Sequence, residues 1–117
     1  MSQLSGKRIL VLEDEALVAF MLEDILIELK CTVVGPALNV DEGEAIAMAE
    51  PIDAAILDLK LRDQTCHSVA QLLDERSIPY LLASGSDDPD ALPGAKGSLG
   101  KPYRSSEVEA QLSKLFL

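Results

Sequence analysis

Three carboxylate sites, a hydroxyl and an amine stand in this chain where each follows an apolar run: Glu13 with Asp14, then Asp58, Ser84 and Lys101. Brought to one edge of a fold, these groups would have a definite chemistry. Two carboxylates about 5 Å apart repel by roughly 3 kcal/mol at an effective dielectric of about 20, and three repel more, so such a cluster calls for positive charge. Mg2+ suits it, because this hard ion prefers oxygen ligands and is commonly held by one or two carboxylates together with phosphate oxygens. Lys101 offers a second positive charge as a flexible point donor matched to a phosphoryl oxygen. A carboxylate can attack phosphorus to form an acyl phosphate, with metal and lysine stabilising the transferring oxygens. Asp58 stands alone at the end of its run and is the nucleophile candidate. Glu13 and Asp14 form a metal-holding pair, and Ser84 can donate its hydroxyl to a phosphoryl oxygen.

Alternating strands and helices would place these groups together. Arg8 to Leu12 reads as a buried strand, followed by a helix from Glu15 to about Leu29 whose apolar face is Val18, Met21, Leu22, Ile25, Leu26 and Leu29. Cys31 to Val34 reads as a second strand closed by a turn at Gly35 and Pro36. Asn39 and Glu42 have capping-box spacing for a short helix that ends before Pro51. Ala54 to Leu57 forms the third strand and delivers Asp58, after which Lys60, Arg62, Asp63 and Gln64 read as a polar loop. A third helix spans Cys66 to about Glu75, with Ser77 to Ala83 as the fourth strand. The stretch from Ser84 to Lys101 is rich in Gly and Pro, so a long helix there is not expected. Leu99 and its neighbours suggest a brief fifth strand, and Ser106 with Glu109 suggests the cap of a last helix. The class is α/β: a doubly wound, five-stranded parallel sheet covered by helices on both faces, whose binding crevice lies beyond the carboxyl ends of its strands.

The 117 residues match one domain, and 48% apolar content suits a globular fold. Twenty acidic against ten basic residues, a formal charge of -10, would repel nucleic-acid phosphates, so DNA or RNA binding is not expected. No apolar run approaches the length of a membrane span, and Met1 to Lys7 has no signal core, so the expected location is cytoplasmic with no membrane contact. Cys31 and Cys66 then read as free thiols filling apolar space. The lone His67 reads as a solvent-facing side chain, while Tyr80 and Tyr103 read as packing at strand edges, with contact to a partner kept open for Tyr103.

Ile9-Leu-Val-Leu-Glu-Asp-Glu15, Ala55-Ile-Leu-Asp-Leu59, Leu82-Ala-Ser-Gly85 and Lys101-Pro102 together resemble, in order and over nearly the whole chain, the motifs of response-regulator receiver domains. That resemblance implies a flavodoxin-like sheet of order 2-1-3-4-5 with its fourth helix short or disordered. It implies that Asp58 is the phosphoacceptor, that Asp14 binds Mg2+ directly and Glu13 through water, and that Lys60 contributes only its backbone carbonyl. It further implies Ser84 as the switch hydroxyl, Lys101 as the lysine before proline, and a sensor histidine kinase or histidine phosphotransfer protein as phosphodonor. Residues 1 to 117 would form a single receiver without an output domain. Such a protein is not an enzyme beyond its own phosphoryl transfer and loss, and it signals through a downstream protein target or onward phosphotransfer.

Ser98 stands where typical receivers carry a mobile aromatic, and the Gly- and Pro-rich stretch replaces their fourth helix. Both features resemble the receiver subfamily named FATGUY, to which Leu82 to Gly85 is a partial match. They suggest that phosphorylation orders Gly85 to Gly97 instead of moving an aromatic. Two rival readings differ in chemistry. A haloacid-dehalogenase-like phosphatase would place an acid two residues after the nucleophile, where this chain has Lys60, and a pseudo-receiver would bind partners without phosphorylation.

Overall fold

The computed structural model describes residues 3–83 and 92–117. Its elements are β1 (Arg8–Leu12), α1 (Ala16–Glu28), β2 (Thr32–Ala37), α2 (Val40–Ala49), β3 (Ala54–Asp58), β4 (Lys60–Leu61), β5 (Gln64–Thr65), α3 (His67–Glu75), β6 (Tyr80–Ala83), β7 (Ser98–Leu99) and α4 (Ser105–Leu115). The main sheet is parallel throughout with order β2-β1-β3-β6-β7. Setting aside the small hairpin β4–β5, this is the expected 2-1-3-4-5 order.

Period-two alternation along the strands divides the interior into two cores. Leu10, Leu12, Ala55, Leu57, Tyr80 and Leu82 face α2 and α3, meeting Ala47, Val69 and Leu73. The intervening Ile9, Val11, Ile56, Leu81 and Ala83 face α1 and α4, meeting Leu22, Leu26, Val108 and Leu112. Both faces being covered explains why β1 and β3 read as continuous apolar runs. Gly43 lets α2 close onto the sheet: an added Cβ there would lie 3.0 Å from a methyl of Leu12 and 3.2 Å from one of Val69. Leu4 is fully buried in the second core, and the Lys7 ammonium lies 4.8 Å from the centre of the Phe116 ring, tying the two ends of the chain together.

Several local expectations need correction. β2 does not stop at Gly35 and Pro36 but runs on to Ala37, because Gly35 takes φ 101 and absorbs a register irregularity before pairing resumes at Leu12 with Ala37. Met21 is 52% exposed: the stripe of α1 facing the sheet centres on Leu22 and Leu26, and Met21 is rotated about 100° from Leu22. The polar segment after Asp58 contains the antiparallel pair β4–β5, turning through Arg62 at φ 63, with Leu61 buried. α4 begins at Ser105 after Arg104 and has no side-chain cap bond. Its Glu107 reaches back instead, accepting from the Gly100 amide at 2.8 Å. Asn39 does cap α2: its Oδ1 accepts from the Glu42 amide and its Nδ2 donates to the Glu42 carboxylate, each at 2.8 Å. Leu92 to Gly97 contains no helix, only a turn closed by Ala95 N–H on Leu92 O. Expectations for residues 84–91 lie outside the described residues.

The end of α2 depends on a cation from another element. Arg76, just past α3, donates through Nη1 to Ala47 O at 2.7 Å and Glu50 O at 2.9 Å, while α2 has no basic residue in its last turn. Carbonyls at a helix end lack partners within the helix, and a guanidinium satisfies both their hydrogen bonding and the helix dipole. Arg76→Ala is therefore expected to lower stability by about 1–2 kcal/mol. An unchanged urea midpoint would show that these bonds contribute nothing.

Candidate functional site

The site is built at the carboxyl edge of the main sheet, where adjacent β1 and β3 end side by side. Glu13 follows β1 directly, and its amide donates to Ala37 O at 3.0 Å, so the extension of β2 past Gly35 helps to fix its backbone. Its side chain is 1% exposed. Asp14, the next residue, is partly buried. Asp58 ends β3 and is 9% exposed. One carboxylate oxygen from each of Glu13, Asp14 and Asp58 lies within 4.8 Å of the others.

Lys101 enters from the segment after β7. Its Nζ is 2.8 Å from Glu13 Oε2 and 3.2 Å from Asp58 Oδ1, bridging the ends of both strands. Buried Leu99 before it and the Gly100–Glu107 bond hold its backbone between the sheet and α4. Glu13 Oε1 also accepts from the Glu15 amide at 3.2 Å.

Electrostatics follows from this geometry. Burial, and then the charge of Glu13, push the Asp58 carboxyl up from 3.8 to about 6, with Lys101 opposing. Burial alone would pull the Lys101 ammonium down, but its hydrogen bond to Glu13 and the charges of Asp58 and Glu13 outweigh it and raise its pKa. One ammonium facing three carboxylates leaves negative charge in a confined, largely buried oxygen cluster. That donor set fits a hard divalent cation such as Mg2+, with Glu13, Asp14 and Asp58 as the residues able to hold it.

Glu13, Asp14, Asp58 and Lys101 are thus brought together at one sheet edge, where their places after successive strands put them. Lys60 lies two residues beyond Asp58 at the start of the hairpin, with its side chain exposed. Ser84 lies outside the described residues. Ser98 is exposed on β7. Tyr103 packs into the second core, and burial followed by the charges of Glu13 and Asp58 raises its phenol pKa. Its electrical link to the site was missed; the only signal was its place two residues after Lys101. His67 is exposed, with Nδ1 2.8 Å from Thr65 Oγ1. Cys66 is fully buried, and burial is the main cause that pushes its thiol up to about 12, which suits apolar filling. Tyr80 is also buried and donates to Asp74 Oδ2 at 3.2 Å.

Comparison with solved structures places this architecture. A CheY-like response-regulator receiver domain protein from Methanospirillum hungatei superposes with a TM-score of 0.83 at 23% identity, over 95% of this chain and 94% of that one. The fold is that of response-regulator receiver domains. The receiver fold recurs in the Thermotoga maritima response regulator TrrA, solved in complex with Mg2+ and BeF, at a TM-score of 0.83 and 22% identity over 93% of this chain and 98% of that one. It recurs also in the receiver domain of a Pseudomonas aeruginosa sensor histidine kinase, solved with magnesium coordinated in its active-site cleft, at a TM-score of 0.82 and 20% identity over 96% and 98% of the two chains. No family model and no curated protein matches the sequence.

Proposed function

We propose that this protein is a two-component receiver that accepts a phosphoryl group on Asp58 in a Mg2+-dependent reaction. The observation that carries the proposal is the convergence of Glu13, Asp14 and Asp58 within 4.8 Å, with Lys101 bridging two of them. Asp14 and Asp58 would hold the ion with their carboxylates, Glu13 through water, and Lys60 with its backbone carbonyl. When bound, Mg2+ supplies positive charge against the oxygens of the transferring group. Asp58 in its ionised form attacks phosphorus, and the new bond to its carboxylate oxygen forms as the bond to the donor nitrogen breaks. Lys101 lies close enough to Asp58 to donate to a phosphoryl oxygen after the transfer. Ser84, which follows β6, is assigned a second donor role on its position in the sequence.

The phosphodonor in this reading is a phosphohistidine on a sensor kinase or a histidine phosphotransfer protein. The product signals by protein contact or onward transfer, and the protein acts as a signalling domain in the cytoplasm with no nucleic acid as partner. Among the described residues no helix is long and apolar enough to cross a membrane. The likeness to the FATGUY subfamily rests on Ser98, on the Gly- and Pro-rich stretch after Ser84, and on Leu82 to Gly85, of which only Leu82 and Ala83 are described.

Incubation with a small phosphodonor and Mg2+, read by intact mass, tests the proposal. One added phosphoryl group is expected on the wild type and none on Asp58→Asn. Steady turnover of a generic phosphate ester would identify a phosphatase instead, and absence of any adduct in the folded, Mg2+-saturated wild type would leave a phosphorylation-independent binding module.

A further inference from the structure

On the sheet face opposite α1 and α4, helices α2 and α3 enclose an open groove of about 540 Å3. Ala45 and Met48 from α2 and Leu72 from α3 provide its apolar lining, while Asp41, Glu44 and Glu75 provide its charge. Met48 is 63% exposed, and its flexible thioether can adapt to an incoming surface.

The charge around this groove has one sign. α2 and α3 together carry Asp41, Glu42, Glu44, Asp74 and Glu75, and neither helix contains a Lys or Arg. The neighbouring cation, Arg76, is already directed to the carbonyls of Ala47 and Glu50. That same guanidinium joins the end of α3 to the end of α2, so the groove is held open between two fixed walls before any partner arrives. Its size falls in the range of about 300–1,000 Å3 typical of preformed pockets.

A furrow between two helices receives the side-chain ridge of a third, and an acidic border selects Lys and Arg beside that ridge. We propose that the α2–α3 groove docks a basic amphipathic helix of a partner protein. Docking here leaves the carboxylate cluster uncovered, since the groove is lined by the flanks of α2 and α3 and contains none of Glu13, Asp14, Asp58 and Lys101. The partner can therefore bind the unmodified protein, and the proposal stands independently of phosphoryl chemistry at Asp58.

The test uses the whole, unphosphorylated chain and a synthetic peptide of roughly 16 residues, about four helical turns, with Leu along one face and Lys along its flanks. Amide NMR shifts are expected to concentrate at Ala45, Met48 and Leu72, and binding is expected to weaken as salt rises. The surface double variant E44K/E75K should bind about tenfold more weakly or worse, through charge reversal at the border, while Met48→Ala should lower affinity without changing the salt dependence. Shifts centred on Leu17, Phe20 and Met21 of α1 would overturn the proposal, as would equal binding by a Glu-flanked version of the peptide or unaltered affinity in E44K/E75K.

Discussion

Replacing Lys101 by Ala is expected to destabilise the metal-free protein by about 2–4 kcal/mol, and added Mg2+ is expected to return most of that loss. The reason is the position of Glu13. Its carboxylate is 1% exposed, and its salt bridge runs to Lys101 at 2.8 Å. Removing one partner of a buried ion pair leaves the other charged in a poorly solvating environment, at about 3–5 kcal/mol for a fully buried pair. Lys101 is 25% exposed, so the expected cost is set about 1 kcal/mol below that range. A divalent cation at the same carboxylates would substitute for the ammonium, and a ligand at about 100 times its Kd stabilises by about 2.7 kcal/mol. Thermal or urea unfolding of wild type and variant, with and without Mg2+, checks this. The variant should also accept a phosphoryl group about a hundredfold or more slowly, because a charged donor to the transferring oxygens is gone. Equal midpoints without Mg2+, or an equal Mg2+ response in both proteins, would refute the counter-ion role.

Asp58→Asn should act in the opposite direction on stability, and only above a defined pH. Burial first, then Glu13, raise the Asp58 carboxyl from 3.8 to about 6 in the folded state. Between those values the folded protein retains a proton that the unfolded chain has released, so stability falls as pH rises through the window and stays low above it. The shift corresponds to roughly 2–3 kcal/mol. Asn carries no charge, so the variant should be more stable than the metal-free wild type at pH 7.5, with the difference closing below about pH 4. Mg2+ should narrow the gap at pH 7.5, because it stabilises the wild type more strongly. A constant difference across this range would mean that Asp58 does not titrate as a buried carboxyl. The same protonation competes with the cation, so Mg2+ affinity should weaken as pH falls from 7 towards 5.

The centre of the main sheet could be read in the chain because β1 and β3 are apolar runs that lead directly into a carboxylate. Glu13 and Asp58 are those carboxylates: a strand buried on both faces has no use for a carboxylate until it emerges at the edge. Their pairing with Lys101 was legible only as an order of motifs, since 42 residues separate Asp58 from Lys101 and no local pattern measures that gap. What stayed hidden was governed by tertiary packing. A two-residue strand such as β4 is shorter than any period that could announce it, and its turn uses Arg62 at a positive φ that no Gly or Asn marks. The path of β2 through Gly35 and Pro36 follows from pairing with β1, which overrides the local tendency of that dipeptide to turn. The start of α4 was displaced for a similar reason: Glu107 bonds the Gly100 amide in the preceding segment, so the helix is anchored by tertiary reach instead of by a serine cap.

That anchor has a mechanical meaning. Gly100 is the residue immediately before Lys101, so the ammonium that senses the carboxylates is one peptide away from a pin fastened to the first turn of α4. In the proposed reaction, a lysine drawn from Glu13 towards a phosphoryl group on Asp58 would pull on that pin. The last helix is thereby coupled to the carboxylate cluster through a single hydrogen bond and a single peptide, a linkage by which a shift of the ammonium would be felt at the protein surface.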